Sequence, residues 1–462
     1  IEIYSSSSLT MNGGKIINNK SNNNGGGVWI WQHPTILRLN DGIISGNING
    51  NNTLDDVLVR YAGSFEMNGG YVSSIGIEGA NNILINGGYF NSGNLENNTV
   101  YGFTVNNNHK VIKIKPDEYE YNYFVIPSDY THSCNETNNA NIITTEGGEL
   151  TEGHYSLVTD VVLTNNITIA GNVTICLNGY KLIGTEGQII TIEDNGSLIL
   201  TDCNGSNSTH NYYVNENGLY VFNLYQSNWN EDYQTSTEKS TISGGIITGG
   251  NCGVLINSNA VFTMKNGTIS GNSETNNAGG VFVFGEFNFI GGNIIGNNSN
   301  NIVFDDNSNF NLEGGNLDGT INSLPANINI TSGYLTENSY NSLKNNINDN
   351  YIIVNLSEYV NDNFDPDYNE KYPYAIYKRG VVNFEYQVEE YIYTGNAIEL
   401  NVTSSIPSSI HYSYSNNIES NFVEGLPTLA GQWYIKAETA NYYFTNDTGE
   451  KYSILFHLKL YQ

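Results

Sequence analysis

Apolar residues in this chain come in pairs or strict alternation, and small residues punctuate them at regular intervals. The pattern is plainest over residues 242–297. There the phrase of two small residues, an apolar pair and a Gly or Gly-Asn is written as SGGIITG from Ser243, KNGTISGN from Lys265 and IGGNIIGN from Ile290. The first 125 residues carry it as MNGGKI from Met11, LNDGIISGN from Leu39, MNGGYV from Met67 and INGGYF from Ile85. The second small residue falls at Gly14, Gly42, Gly70 and Gly88, with spacings of 28, 28 and 18. Later it falls at Gly245, Gly267, Gly292, Gly315 and Gly333, with spacings of 22, 25, 23 and 18. Self-similarity at such intervals, without the roughly 3.6-residue apolar period of a helix, predicts a stacked repeat in which each turn contributes two or three short strands.

The phrase has the chemistry of a coil. Alternation at Val281, Val283, Phe287 and Phe289 puts one face of each strand inward, with the next coil about 4.8 Å away. Glycine supplies the corner conformations that other residues resist, and Asn does so nearly as well. Asn at equivalent corners of successive coils is expected to form hydrogen-bonded ladders, where Asp would repel itself. A helical reading would set glycines in helix interiors at roughly 1 kcal/mol each, and it loses.

The phrase divides the chain. Residues 1–103 form one repeat module, and 104–150 an extended, Tyr-rich cap or bridge. Residues 151–340 form a second module, interrupted by an aromatic insertion at 206–240, and 341–380 form a second cap. Residues 381–462 abandon the phrase for period-2 strands with turn clusters, the pattern of a small antiparallel β-sandwich. The predicted fold is therefore all-β, solenoid modules followed by a sandwich, with little helix.

Three words resemble the right-handed parallel β-helix of the pectate-lyase-like superfamily: ICLNGYKL at Ile175–Leu182, GSLILTDCNG at Gly196–Gly205 and VFTMKNGTISGN at Val261–Asn272. The C-terminal segment resembles the Ig-like repeat modules of bacterial surface proteins, through YTGNAIEL at Tyr393–Leu400 and LPTLAGQWYIKAETANY at Leu426–Tyr442, with Trp433 and Tyr434 as expected core anchors. The first resemblance implies a fold and leaves activity open, because one fold hosts many functions.

Composition narrows the function. With 46 acidic and 17 basic residues the chain carries a net charge of −29, which argues against nucleic acid and anionic membrane surfaces. Its hydrophobic fraction of 39% suits a narrow continuous core better than several compact ones. The chain starts at Ile1 with no apolar leader, the look of a processed or partial protein, and no run is long enough for a spanning helix. Sequons at Asn135, Asn166, Asn172, Asn266, Asn355, Asn401 and Asn446 agree with a secreted or cell-surface location. Of the four cysteines, Cys134, Cys176, Cys203 and Cys252, none has zinc-motif spacing. Cys176 and Cys203, 27 residues apart, are placed to stack on adjacent rungs, as a disulfide or as two buried thiols.

Candidate chemistry is sparse. Polysaccharide lyases and hydrolases share the resembling fold, and a lyase needs an Arg or Lys base beside carboxylates that hold calcium. Arg60, near Asp55 and Asp56, is the best candidate, although LDDVLVR also reads as an ordinary strand. Asp305–Asp306 and Glu193–Asp194 point to opposite faces of a strand and read as turns beside corners. The histidines at 33, 109, 132, 154, 210, 411 and 457 form no catalytic or metal motif. The insertion offers Tyr212, Tyr213, Tyr225, Trp229 and Tyr233, which would either stack on sugar rings or form the insertion's own small core. The expectation is a non-enzymatic surface protein, a rigid stalk that binds glycans or surface proteins. It needs no cofactor, although structural calcium is compatible with it. A polysaccharide-active enzyme is the alternative, and a filament subunit with exposed β edges is a third reading.

Overall fold

The computed structural model describes residues 1–79, 82–132, 134, 140–205, 208–222, 240–273, 278–298, 300–348, 350–357 and 369–378, and beyond them the strands of the C-terminal segment, with side chains only at 413–416, 422–424 and 433–434. The chain is all-β and forms two compact units. One comprises 1–310 with 318–328, the other 311–317 with 329–462.

In the first unit, strands stack parallel at the intervals of the repeat phrase. Met11 pairs with Leu39, Leu39 with Met67 and Met67 with Ile85, so separations of 28, 28 and 18 are the lengths of successive circuits. A second parallel sheet runs alongside, from Glu2–Ile3 through Val28–Trp31 and Val57–Arg60 to Ile75–Glu78. Tyr123–Pro127 then joins Gly88–Phe90 in antiparallel sense and pairs with His109–Lys113. The parallel series ends at this hairpin, whose strands cover the last circuit.

Parallel stacking resumes with Gly148–Ser156 on Ile167–Cys176. The large sheet that follows is strongly curled, and three columns of apolar residues line its inside. One column is Ile169, Ile192, Ile256, Val283 and Phe304. Another is Val173, Leu198, Phe262 and Phe287. The third is Leu182, Ile247, Ile269 and Ile294. All of these side chains are buried. Period-2 alternation makes the columns, because parallel in-register pairing sets like beside like.

Asparagine runs up the corners in two ways. A surface ladder joins exposed Asn12, Asn40 and Asn68 to half-buried Asn86 and Asn106, each side-chain amide N–H donating to the Oδ1 of the one before at 2.7 to 2.9 Å. The Asn that closes the phrase is buried and makes the same bonds wherever it occurs. Asn47 donates to Ile16 O and Ser45 O, Asn272 to Ile247 O and Ser270 O, and Asn297 to Ile269 O and Ile295 O. One bond in each pair fixes its own turn and the other ties that turn to the circuit below. Glycine is required beside them: Gly42 has φ +107°, and a Cβ there would meet Gly14 O at 2.6 Å.

The insertion begins and ends in a small antiparallel sheet, with Thr209–Val214 between Tyr220–Phe222 and Ser240–Ser243. In the second unit a seven-residue helix, Glu337–Leu343, stacks Tyr340 on Tyr374 with ring centroids 4.2 Å apart. Beyond it, Gly431–Glu438 lies antiparallel between His411–Ser415 and Ser453–Tyr461. Gly380–Phe384 pairs antiparallel with Val402–Ser404 and parallel with Tyr442–Phe444. Trp433 and Tyr434 are half-buried, and Trp433 meets Tyr414 edge to face. No helix among the described residues is long and apolar enough to cross a membrane.

Candidate functional site

Two of the cysteines lie on neighbouring circuits of the second stack. Cys176 ends the strand Ile167–Cys176 and pairs in register with Thr201, the last residue of Ser197–Thr201. Cys203 follows two residues later, and its Sγ lies 3.4 Å from Cys176 Sγ without a bond between them. The backbone N–H of Cys203 donates to Cys176 Sγ at 3.5 Å.

The segment leading out of the hairpin brings a third thiol and an imidazole to this pair. His132 Nε2 lies 2.9 Å from Cys134 Sγ and 3.2 Å from Cys203 Sγ. All four donor atoms fall within 4.8 Å of one another. Cys176 and His132 are buried, Cys134 is half-buried and Cys203 is exposed.

Burial disfavours the charged forms of Cys176, Cys134 and His132. Burial pushes the Cys176 thiol up to about 11 and raises Cys134 further, helped by the neighbouring thiols. Burial also lowers His132, as does the His154 ring 5.8 Å away. Three thiols cannot all ionise side by side unless a cation compensates them, and a divalent metal inverts that preference. Three thiolates and one imidazole are a donor set of closed structural zinc sites. Asp202, buried beside Cys203, fixes the corner by accepting Gly179 N at 2.7 Å and Gly245 N at 2.6 Å. A groove of about 640 Å³ opens alongside, lined in part by Cys134, Cys203, His154, Thr174 and Lys265.

The other sequence candidates are scattered. Arg60 pairs with Glu78 on the adjoining strand and lies 5.5 to 5.7 Å from the rings of Trp29, Trp31 and Tyr61. Asp55 accepts Gly25 N at 2.6 Å, and Asp56 takes the backbone and side-chain N–H groups of Asn47, each at 2.8 Å, together with the hydroxyls of Ser73 and Ser74. Glu193 accepts from Asn257, and Asp305 from the backbone of Asn307 in a turn. Tyr212 stacks on Tyr220 at 4.2 Å and packs near Phe222, with half-buried Tyr213 on the opposite side of the strand. Tyr225, Trp229 and Tyr233 lie outside the described residues, as do Asn135, Asn401 and Asn446. Asn166, Asn172 and Asn266 are exposed, and Asn355 is half-buried.

The sequence signalled Cys176 and Cys203 through their repeat spacing, and it did not signal His132 or Cys134. The outward Trp29, Trp31 and Tyr61 beside Arg60 also escaped notice; alternation in VWIW, with Val28 and Ile30 inward, would have found the first two. No protein-family model, curated protein or solved structure matches the chain.

Proposed function

We propose that this chain is a structural module of a secreted or cell-surface protein, built as a right-handed parallel β-helix with an Ig-like sandwich after it, and that it displays binding surfaces without performing catalysis. The observation that carries this reading is the set of buried apolar columns, with asparagine hydrogen bonds tying neighbouring strands of the stack. The inward positions are filled mainly by Ile, Val, Leu, Phe and Met and the corners are rich in Gly and Asn, which leaves the outward positions for recognition. Arg60, the best candidate for a lyase base, supports the same reading: Glu78 neutralises it and aromatic rings flank it, whereas an enzymatic base needs a substrate proton within reach. Glycans are the proposed ligands, through outward aromatic faces such as Trp31 and Tyr61 and the Tyr/Trp-rich insertion, because the C–H face of a sugar ring packs on a π surface.

A glycan array probed with the full chain and with Trp31→Ala and Trp229→Ala tests the proposal. Retention of a glycan class that either substitution weakens is the expected result. Release of unsaturated or reducing sugars from polyuronates, abolished by Arg60→Ala, would replace it with the polysaccharide-active enzyme.

A further inference from the structure

We propose that His132 Nε2 and the Sγ atoms of Cys134, Cys176 and Cys203 bind one zinc ion, which pins the segment after the hairpin to the second stack. The argument begins with convergence. A disulfide between Cys176 and Cys203 would use two of these groups and give no reason for a third sulfur and an imidazole nitrogen to be directed at the same point. A tetrahedral zinc uses all four. With Zn–S of about 2.3 Å and Zn–N of about 2.0 Å, its ligand atoms sit roughly 3.5 to 3.8 Å apart. The donor contacts here run from 2.9 to 3.4 Å, and every pair lies within 4.8 Å, so zinc needs side-chain adjustments of only about 1 Å.

The donors are soft thiolates and an imidazole, which select zinc over calcium or magnesium. The second shell is partly in place, since the Cys203 N–H is directed at Cys176 Sγ and Asp202 locks the neighbouring corner through two backbone N–H groups. Exposed Cys203 and the adjoining groove provide the way in. Binding is not a redox step: each of the three thiols gives its proton to water as its sulfur donates to Zn²⁺, and no electron changes hands.

Ligands two residues apart in one segment, joined by one ligand from each of two stacked circuits, would close long loops that the β ladder does not close. The metal should therefore hold His132 and Cys134 to the second stack.

The test uses the full chain, purified under reducing conditions, loaded with zinc and dialysed, with metal content measured by mass spectrometry. One zinc per chain is expected, with affinity falling on the order of tenfold or more in Cys134→Ser and His132→Ala and unchanged in Cys252→Ala. Cys252 serves as the control because its thiol donates to Val254 O and Gly280 O, outside the cluster. Cobalt substitution should give thiolate-to-metal charge transfer and the intense visible bands of a tetrahedral site. Should the variants fail to fold, thiol alkylation of the unmodified chain decides: zinc must slow labelling of Cys203, and a chelator must restore it. No retained zinc, zinc retained equally by Cys134→Ser, alkylation of Cys203 indifferent to zinc, or a Cys176–Cys203 disulfide in chain purified separately without reductant would each overturn the proposal.

Discussion

Asn272 donates from Nδ2 to Oδ1 of Asn297, 25 residues further along, at 2.9 Å, and both side chains are buried. Asn272 also accepts from Gly250 N and donates to two carbonyls, so its amide is used at both ends. Asp at this position would face those carbonyl oxygens with a charge and no donor. Asn272→Asp should destabilise the stack by about 3 kcal/mol, against about 1 kcal/mol for Asn68→Asp in the surface ladder, which water can resolvate. Thermal unfolding of the two variants at neutral pH checks the contrast, and acid should restore part of the loss as the new carboxyl protonates.

Phe287 sits between Phe262 and Phe310 in the apolar column, with ring centroids 5.2 and 5.7 Å away. Its neighbours belong to different circuits and cannot close around a void together. Phe287→Ala should therefore cost about 3 to 5 kcal/mol, while Phe287→Leu costs far less, read from urea unfolding midpoints.

Buried Lys181 and half-buried Asp160 form an ion pair at 3.1 Å. Burial alone would raise the Asp160 carboxyl, yet it is lowered, because the charges of Lys181 and His210 and the hydrogen bonds from Lys181 outweigh desolvation. Asp160→Leu should cost about 3 to 5 kcal/mol by stranding the lysine, and adding Lys181→Met should recover most of that. Non-additivity in the double-mutant cycle is the measurement. The carboxyl's folded pKa lies below its unfolded value, so this contribution is present above the unfolded range and disappears as pH falls through the lowered pKa.

Lys115 is 3% exposed, and burial pulls its ammonium down to about 8, with Lys181 pulling the same way and Asp160 and Glu120 opposing. The unfolded chain holds that proton to about pH 10.4, so stability should rise between about pH 8 and 9.5 as the folded lysine gives it up. Lys115→Met should stabilise the chain at pH 7 by roughly 1 to 3 kcal/mol and abolish the rise. Melting temperatures of both proteins at pH 7 and pH 9.5 decide the matter.

The repeat was legible because a strand's side-chain period of two and a corner's demand for Gly or Asn are local requirements. The spacings of 28, 28 and 18 between Gly14, Gly42, Gly70 and Gly88 became the register of Met11, Leu39, Met67 and Ile85 without revision. The asparagine ladders were legible for the same reason. What local chemistry does not express is where a circuit of variable length returns. His132 and Cys134 stand two residues apart, Cys176 lies 42 residues beyond Cys134, and Cys203 a further 27. No short motif holds them, and they meet because a hairpin turns the chain back onto the second stack and parallel pairing sets residue 201 beside residue 176. The sequence by itself determined the strands and their inward faces, written in the alternation of side chains, and the intervals at which they stack, written in the spacing of the glycine phrase. Only the tertiary structure decided which thiols and which imidazole share one point in space, because that depends on loop lengths and stacking order.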